Sequence, residues 1–231
     1  MGKFPQRRDD CPLDEQGCAV VDRVRRLEEE CARLRELIHI DELTGLFNYR
    51  YLLEALEGEL ERTRRTGIPT GLIMIDLDHF KRLNDDYGHE AGNKALQWSS
   101  SLWRSNIRRI DMPCRYGGEE FSIILPGSRL TQAARAAERL RVALEDAPLR
   151  LNGDVVTLTA SFGVDAYGER ETLTVEGFIQ RTDQYLLEAK SRGRNRVCFD
   201  ESKVRGVSTE VMADEREALI WGGGTVENGG R

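Results

Sequence analysis

The chain has no long apolar run. Nothing in its 231 residues approaches the roughly 18 consecutive apolar residues of a membrane span. The opening residues (Gly2, Lys3, Phe4, Pro5, Gln6, Arg7, Arg8, Asp9, Asp10) lack the apolar stretch of a secretion signal. Cysteine is scarce: Cys11, Cys18, Cys31, Cys114 and Cys198 are odd in number and scattered, with no CxxC pair. They read as reduced thiols rather than a disulfide framework, with zinc binding the weaker alternative. Excess positive charge is missing too. A net charge of -6 argues against a general nucleic-acid binder, although local basic clusters remain. No internal repeat is visible. The expectation is a cytoplasmic protein that engages neither nucleic acid nor membrane.

What is present is 39% hydrophobic and 32% charged, the composition of a soluble globular protein with some exposed helix. The length suits one sizeable domain plus extensions. Residues 1–18 are polar and expected to be flexible. Over residues 19–40, Val20, Val24, Leu27, Cys31, Leu34 and Ile38 recur at alternating spacings of four and three, with Arg and Glu between them. This is a heptad seam of about three heptads. It reads either as a paired coiled coil or as an amphipathic helix lying on its own domain. The last 31 residues, 201–231, lack a sustained pattern and are expected to form a flexible tail, with a short helix near Asp214 to Ile220 and no evident place for Trp221.

Between these flanks, residues 41–200 alternate strand and helix patterns. Helix is expected from near Tyr51, strand over Leu72–Leu77, then a loop through His89 and helix over Ala91–Arg108. A hairpin follows over Arg115–Pro126, helix over Leu130–Glu145, strand over Val155–Val164, helix over Val175–Lys190 and strand over Asn195–Phe199. Alternating elements with one antiparallel hairpin imply an α+β fold, an α/β sandwich with helices packed on a central sheet.

The hairpin tip is Gly117-Gly118-Glu119-Glu120-Phe121. The glycines permit positive φ and close approach of another molecule. Adjacent strand side chains point to opposite faces, so Glu119 and Glu120 need not share a role. Asp76 and Asp78 end the apolar strand before it. Taken alone they read as a polar turn. With the acids of the hairpin they form two acidic edges suited to a hard cation and to two-metal phosphoryl chemistry. The segment from Asp78 through Lys81 to Asp85 can aim backbone N–H groups and one ammonium at phosphate oxygens. Lys190, Arg192, Arg194 and Arg196 form a second basic cluster, read as a phosphate contact or as a solvated helix end.

Six stretches together resemble the GGDEF-domain diguanylate cyclases, in a GGEEF variant. They are Asp41-Glu42-Leu43-Thr44-Gly45-Leu46-Phe47-Asn48, Met74 to Lys81, Asn84-Asp85 with Gly88-His89, Arg115 to Phe121, Ala160 to Val164, and Ala189-Lys190 with Gly193-Arg194-Asn195-Arg196. They occur in family order over about residues 41–199. The resemblance implies a five-stranded mixed sheet flanked by helices, similar to a polymerase palm or nucleotidyl cyclase, behind a coiled-coil dimerisation helix. It implies condensation of two GTP into cyclic di-GMP and pyrophosphate across a homodimer. Asp76, the Leu77 carbonyl and Glu119 are then the Mg²⁺ ligands, with Mn²⁺ as an alternative ion, and Asp78 and Glu120 are supporting acids. The catalytic residues are Glu119, Lys81 and Glu120. GTP is held by His79, Phe80, Lys81, Lys190 and Arg194 at the phosphates and by Asn84, His89 and Asn93 at the base. Arg108 and Asp111 match an Arg-x-x-Asp inhibitory motif for the product, five residues before Gly117. The input that controls such an enzyme is left open: an upstream signalling partner, a modification or concentration-dependent assembly.

One position departs from the family pattern. In Gly88-His89-Glu90-Ala91-Gly92-Asn93 the last residue is an amide where the family usually has Asp. A carboxylate accepts from both guanine N1–H and the exocyclic amine, whereas an amide offers one acceptor and a donor. A lost partner in a dry site costs roughly 1–3 kcal/mol. Three outcomes are compatible with Asn93: weaker GTP-specific synthesis, relaxed purine choice yielding some cyclic GMP-AMP, or a non-catalytic cyclic di-GMP receptor.

Overall fold

The computed structural model describes residues 22–30 and 39–205. The chain divides between His39 and Ile40 into two units. In the first, residues 22–30 are helical (α1) and expose Val24 and Leu27. The rest of the expected seam (Val20, Cys31, Leu34, Ile38), the N-terminal residues with Cys11 and Cys18, and the C-terminal residues with Trp221 lie outside the described residues.

The second unit is organised by β1 (Thr70–Leu77), the middle strand of a five-stranded sheet. Its neighbours are β2 (Met112–Gly117), β3 (Glu120–Pro126), β6 (Ala160–Tyr167) and β7 (Val197–Cys198), in the order β2-β3-β1-β6-β7. β1 pairs antiparallel with both β3 and β6, β2 pairs antiparallel with β3, and β7 runs parallel to β6. A central strand is covered on both faces, which explains its near-continuous apolar run. Ile73, Ile75 and Leu77 enter one core with α4 (His89–Ser105) and α5 (Leu130–Glu145), through Ala95, Trp103, Ala137 and Leu140. Leu72 and Met74 enter the other with α2 (Tyr49–Thr66) and α6 (Val175–Ser191), through Leu52, Leu56, Phe178 and Leu186.

Three segments differ from the expectation. The loop expected through His89 contains a helix, α3 (Phe80–Tyr87). Phe80 and Leu83, one turn apart, are both buried, so packing stabilises a segment whose other residues are mostly polar. α4 then stops at Ser105, and Arg108 lies in a turn closed by Asp111 N–H donating to the Arg108 carbonyl at 3.0 Å. The strand expected over Val155–Val164 is broken: β5 (Asp154–Val156) pairs with β4 (Leu149–Leu151) in a separate hairpin. Its turn is Asn152-Gly153, both at positive φ (52° and 100°), the combination that favours a two-residue hairpin. Residues Glu201–Arg205, at the start of the expected tail, form a short helix α7 whose Val204 packs on the core.

The tightest approach between helix and sheet is at Gly163 of β6. A Cβ there would lie 2.3 Å from the Leu186 nitrogen and 2.5 Å from the Thr182 carbonyl oxygen. The obstacle is backbone, so α6 would have to move. Gly163→Ala is expected to cost about 2–4 kcal/mol in urea unfolding. Gly58→Ala, on the exposed face of α2 with nothing within 4 Å, should stabilise by about 0.5–1 kcal/mol. Equal effects at the two sites would contradict this account of α6 packing.

Candidate active site

The sheet register builds the site at the end of β1. Asp76 stands opposite Glu120 on β3 and opposite Ser161 on β6. Leu77 N–H donates to the Glu119 carbonyl at 3.3 Å, which holds the hairpin tip beside the end of β1. The tip itself needs its glycine, since Gly118 has φ 51°. Arg115, before the tip, donates Nε and Nη2 to the Gly118 carbonyl at 3.1 and 2.9 Å and Nη1 to both oxygens of Asp41 at 3.2 Å. Asp41 also accepts from the Thr44 N–H and hydroxyl. Burial works against the Asp41 carboxylate, but the Thr44 bonds and the Arg115 charge hold its pKa below the ordinary value.

The acids are crowded. Lys190 Nζ, from the last turn of α6, lies 2.7 Å from Asp76 Oδ2. Even so, burial, joined by the charges of Glu119 and Asp78, raises the Asp76 pKa. Glu120 is raised by burial and by Asp76, with Asp183 of α6 and Glu119 adding to the effect. One ammonium is too little for this much negative charge, and such a site favours a further cation. Among the described residues, no group of three or more His, Cys, Asp or Glu side chains is placed to hold a metal ion. The donors expected from the sequence are two carboxylates, Asp76 and Glu119, and the Leu77 main chain. That oxygen set fits a small hard divalent ion whose remaining positions are filled by phosphate and water. The Lys190 ammonium stands beside the carboxylate such an ion would use.

Asp78 has a different environment from its neighbour. Its Oδ2 accepts from the Thr159 hydroxyl at 2.8 Å and from Asn195 N–H at 3.0 Å, and its Oδ1 accepts from the Ser161 hydroxyl at 2.7 Å. It ties the end of β1 to the start of β6 and to the loop after α6. Next to it, His79 is left-handed (φ 56°) and provides no side-chain cap for α3. The first-turn N–H groups of α3 are therefore available to an anion, with Lys81 exposed beside them. Phe80 is buried and anchors that turn. Arg194 is exposed, in the loop held by Asp78.

The base-contact candidates converge at the junction of α3 and α4. Asn84 packs so closely on Gly92 that a Cβ on Gly92 would fall 1.9 Å from Asn84 Oδ1. His89 and Asn93 are exposed and one turn apart on α4. Arg108 and Asp111 line a different concavity of about 300 Å³, together with Arg104, Arg109, Phe47 and Ile40. Asp111 is 7% exposed; its Oδ2 accepts from Arg108 N–H at 2.8 Å and its Oδ1 has no partner. Sequence reasoning assigned no role to Asp183 or to the Asp41–Arg115–Gly118 link. The residues of the link lay inside quoted motifs, but their contact spans 74 positions.

If Lys190 competes for the position a metal would take, Lys190→Met should bind Mn²⁺ alone, without nucleotide, about three- to tenfold more tightly, read by electron paramagnetic resonance of free Mn²⁺. Asp76→Asn should abolish the binding. Unchanged Mn²⁺ affinity in Lys190→Met would show that the ammonium does not mask a metal position.

Comparison with known proteins agrees with this geometry. Residues 38–196 match the family model described as "Diguanylate cyclase, GGDEF domain". The response regulator PleD of Caulobacter vibrioides is 40% identical over 165 residues, covering 70% of this chain and 36% of PleD. The chain thus spans about a third of that relative. Among solved structures, the diguanylate cyclase SiaD of Pseudomonas aeruginosa, in complex with its activator SiaC, is 36% identical with a TM-score of 0.67, over 78% of this chain and 69% of that one. The coiled coil and GGDEF domain of DgcB from Caulobacter crescentus, in complex with c-di-GMP, is 27% identical with a TM-score of 0.66, over 78% and 94%. With its motifs in order, its sheet topology shared and more than half its length matched, the chain belongs to the GGDEF family of diguanylate cyclase domains.

Proposed function

We propose that this chain is a diguanylate cyclase that condenses two molecules of GTP into cyclic di-GMP with release of two pyrophosphates. The observation that carries this reading is the acid cluster of Asp76, Glu119 and Glu120 at one strand end, with Lys190 against Asp76, followed in the chain by the uncapped start of α3. Each domain holds one GTP. The 3′-oxygen of each nucleotide forms a bond to the α-phosphorus of the other. The bond from that phosphorus to the oxygen bridging the α- and β-phosphates breaks, and the hydroxyl proton passes to a nearby base, the role this reading gives to Glu119. Lys81, Lys190, Arg194 and the α3 amides orient the triphosphate. Most of the barrier falls through such positioning and charge neutralisation. A bound Mg²⁺ or Mn²⁺, held by Asp76, Glu119 and the Leu77 carbonyl, would neutralise phosphate charge.

The half-sites must face one another, so a second copy is required. A coiled coil over residues 19–40 would raise its effective concentration. No helix of the described residues is long and apolar enough to cross a membrane; a cytoplasmic location is part of the proposal. The pocket beside Arg108 suits the product: guanidinium groups for phosphate or guanine, and a buried carboxylate oxygen still lacking a donor. Product inhibition there is part of the proposal. Asn93 favours a second reading, relaxed purine choice with some cyclic GMP-AMP. The intact acid cluster argues against a receptor without activity, which has no use for it.

The test is to incubate the purified chain with Mg²⁺ and equimolar GTP and ATP and to identify the products by mass. Cyclic di-GMP as the sole product supports GTP-specific synthesis, a mixed product supports the second reading, and no turnover of either nucleotide overturns the enzyme. Glu119→Gln should lower turnover by about a thousandfold, while cyclic di-GMP still binds. Arg108→Ala should weaken product binding at least about tenfold, about 1.4 kcal/mol, by calorimetry.

A further inference from the structure

The loop that presents Arg194 is held in an unusual conformation. Gly193, Arg194 and Asn195 follow one another at φ 108°, 62° and 45°. Only glycine takes such values freely; two consecutive side-chain-bearing residues there must be held by their surroundings. For Asn195 the restraints are visible. Its backbone N–H donates to Asp78 Oδ2 at 3.0 Å. Its side-chain amide is engaged at both ends: Nδ2 donates to Glu145 Oε1 at 2.8 Å, and Oδ1 accepts from Arg141 Nη1 at 3.0 Å. The same Arg141 nitrogen binds Glu145 Oε2 at 2.8 Å, and Arg141 Nη2 binds Glu138 at 2.7 Å. Arg141 is well covered, with 16% of its side chain exposed. The Arg141 and Asn195 hydrogen bonds also depress the Glu145 pKa, so its carboxylate is ionised at neutral pH.

We propose that Arg141, Glu145 and Asn195 are positioning residues for nucleotide binding: the last turn of α5 clamps the strained loop so that Arg194 stays at the triphosphate. The proposal rests on the reading of Arg194 as a phosphate contact. Asn is the residue the geometry calls for, because the amide supplies a donor to the glutamate and an acceptor to the arginine while tolerating the left-handed conformation. Aspartate would keep the acceptor but set a carboxylate against Glu145. Glycine would keep the conformation but lose both bonds. The side-chain bonds of the clamp touch none of Asp76, Glu119 and Glu120, and its one link to the acids, the Asn195 backbone N–H on Asp78, is kept in every variant below, so its loss should act on substrate binding rather than on the chemical step.

The experiment uses the full chain with the variants Glu145→Ala, Asn195→Gly and Glu145→Gln, and two readouts. Hydrogen exchange of the 191–196 backbone, measured without nucleotide, reports the clamp itself. Exchange should quicken in Glu145→Ala and Asn195→Gly and stay near the parent in Glu145→Gln, which retains an acceptor for Asn195 Nδ2. Steady-state turnover at saturating Mg²⁺ reports the consequence. KM for GTP should rise about five- to twentyfold in the first two variants with kcat within about twofold, and Glu145→Gln should restore the parent KM. Unchanged exchange in Glu145→Ala and Asn195→Gly overturns the clamp. Faster exchange with unchanged KM, or a fall in kcat alone, overturns the positioning role. If the parent chain neither binds nor turns over GTP, the proposed function fails, and with it the positioning role, while hydrogen exchange still decides whether the clamp exists.

Discussion

The guanidinium of Arg115 joins the two parts of the chain on which the site depends. It holds the carboxylate of Asp41 on one side and the carbonyl of Gly118 on the other. Both contacts exploit the planar fork of arginine, which a lysine would not reproduce. Without it, the turn that carries Glu119 would be fixed by the β2–β3 and β1–β3 ladders and by the bond from Leu77 N–H. With it, the main chain at residue 41 and the hairpin tip share a common anchor. One short path of hydrogen bonds thus links Asp41 to the hairpin tip that carries the acids.

The remaining construction follows from running β1 between two antiparallel neighbours. Antiparallel pairing brings the start of β3 and the start of β6 to the end of β1, so Glu120, Ser161 and Asp76 meet without any long-range loop having to find them. The two aspartates of β1 and its turn then divide the work. Asp76 stays close to other acids and one ammonium, its proton affinity raised. Asp78 is saturated by three donors and serves as a rivet. Residue type alone does not separate these roles; the neighbours supplied by β6 and the α6 loop do.

Much of this was legible in the sequence. The apolar run of β1, the Gly-Gly tip and the helical periods of α5 and α6 carry strong local signals, and the folded chain keeps them. The α3 helix was not legible because only Phe80 and Leu83 mark its buried side among charged neighbours. The β4–β5 hairpin has a local signal in Asn152-Gly153, but Val155–Val164 reads as one apolar stretch and masks the break after Val156. The motif acids of β1 and the hairpin meet at one strand end, but the different surroundings of Asp76 and Asp78 depend on partners some 80 to 120 positions away. Such partners leave no trace in local spacing. The Asp41–Arg115 pair was invisible for the same reason.

The sheet's margins carry a consequence of their own. On one side β2 is the outer strand. It has a proline, Pro113, and an irregular register between Arg115 and Gly117, and Phe47 bridges onto Cys114 from outside. On the other side β7 has only two residues. Neither margin offers a long row of unpaired amides, so the sheet is a poor template for a stray strand. Two such domains can thus lie side by side, as the proposed reaction requires, with no long exposed strand edge inviting them to pair as sheet.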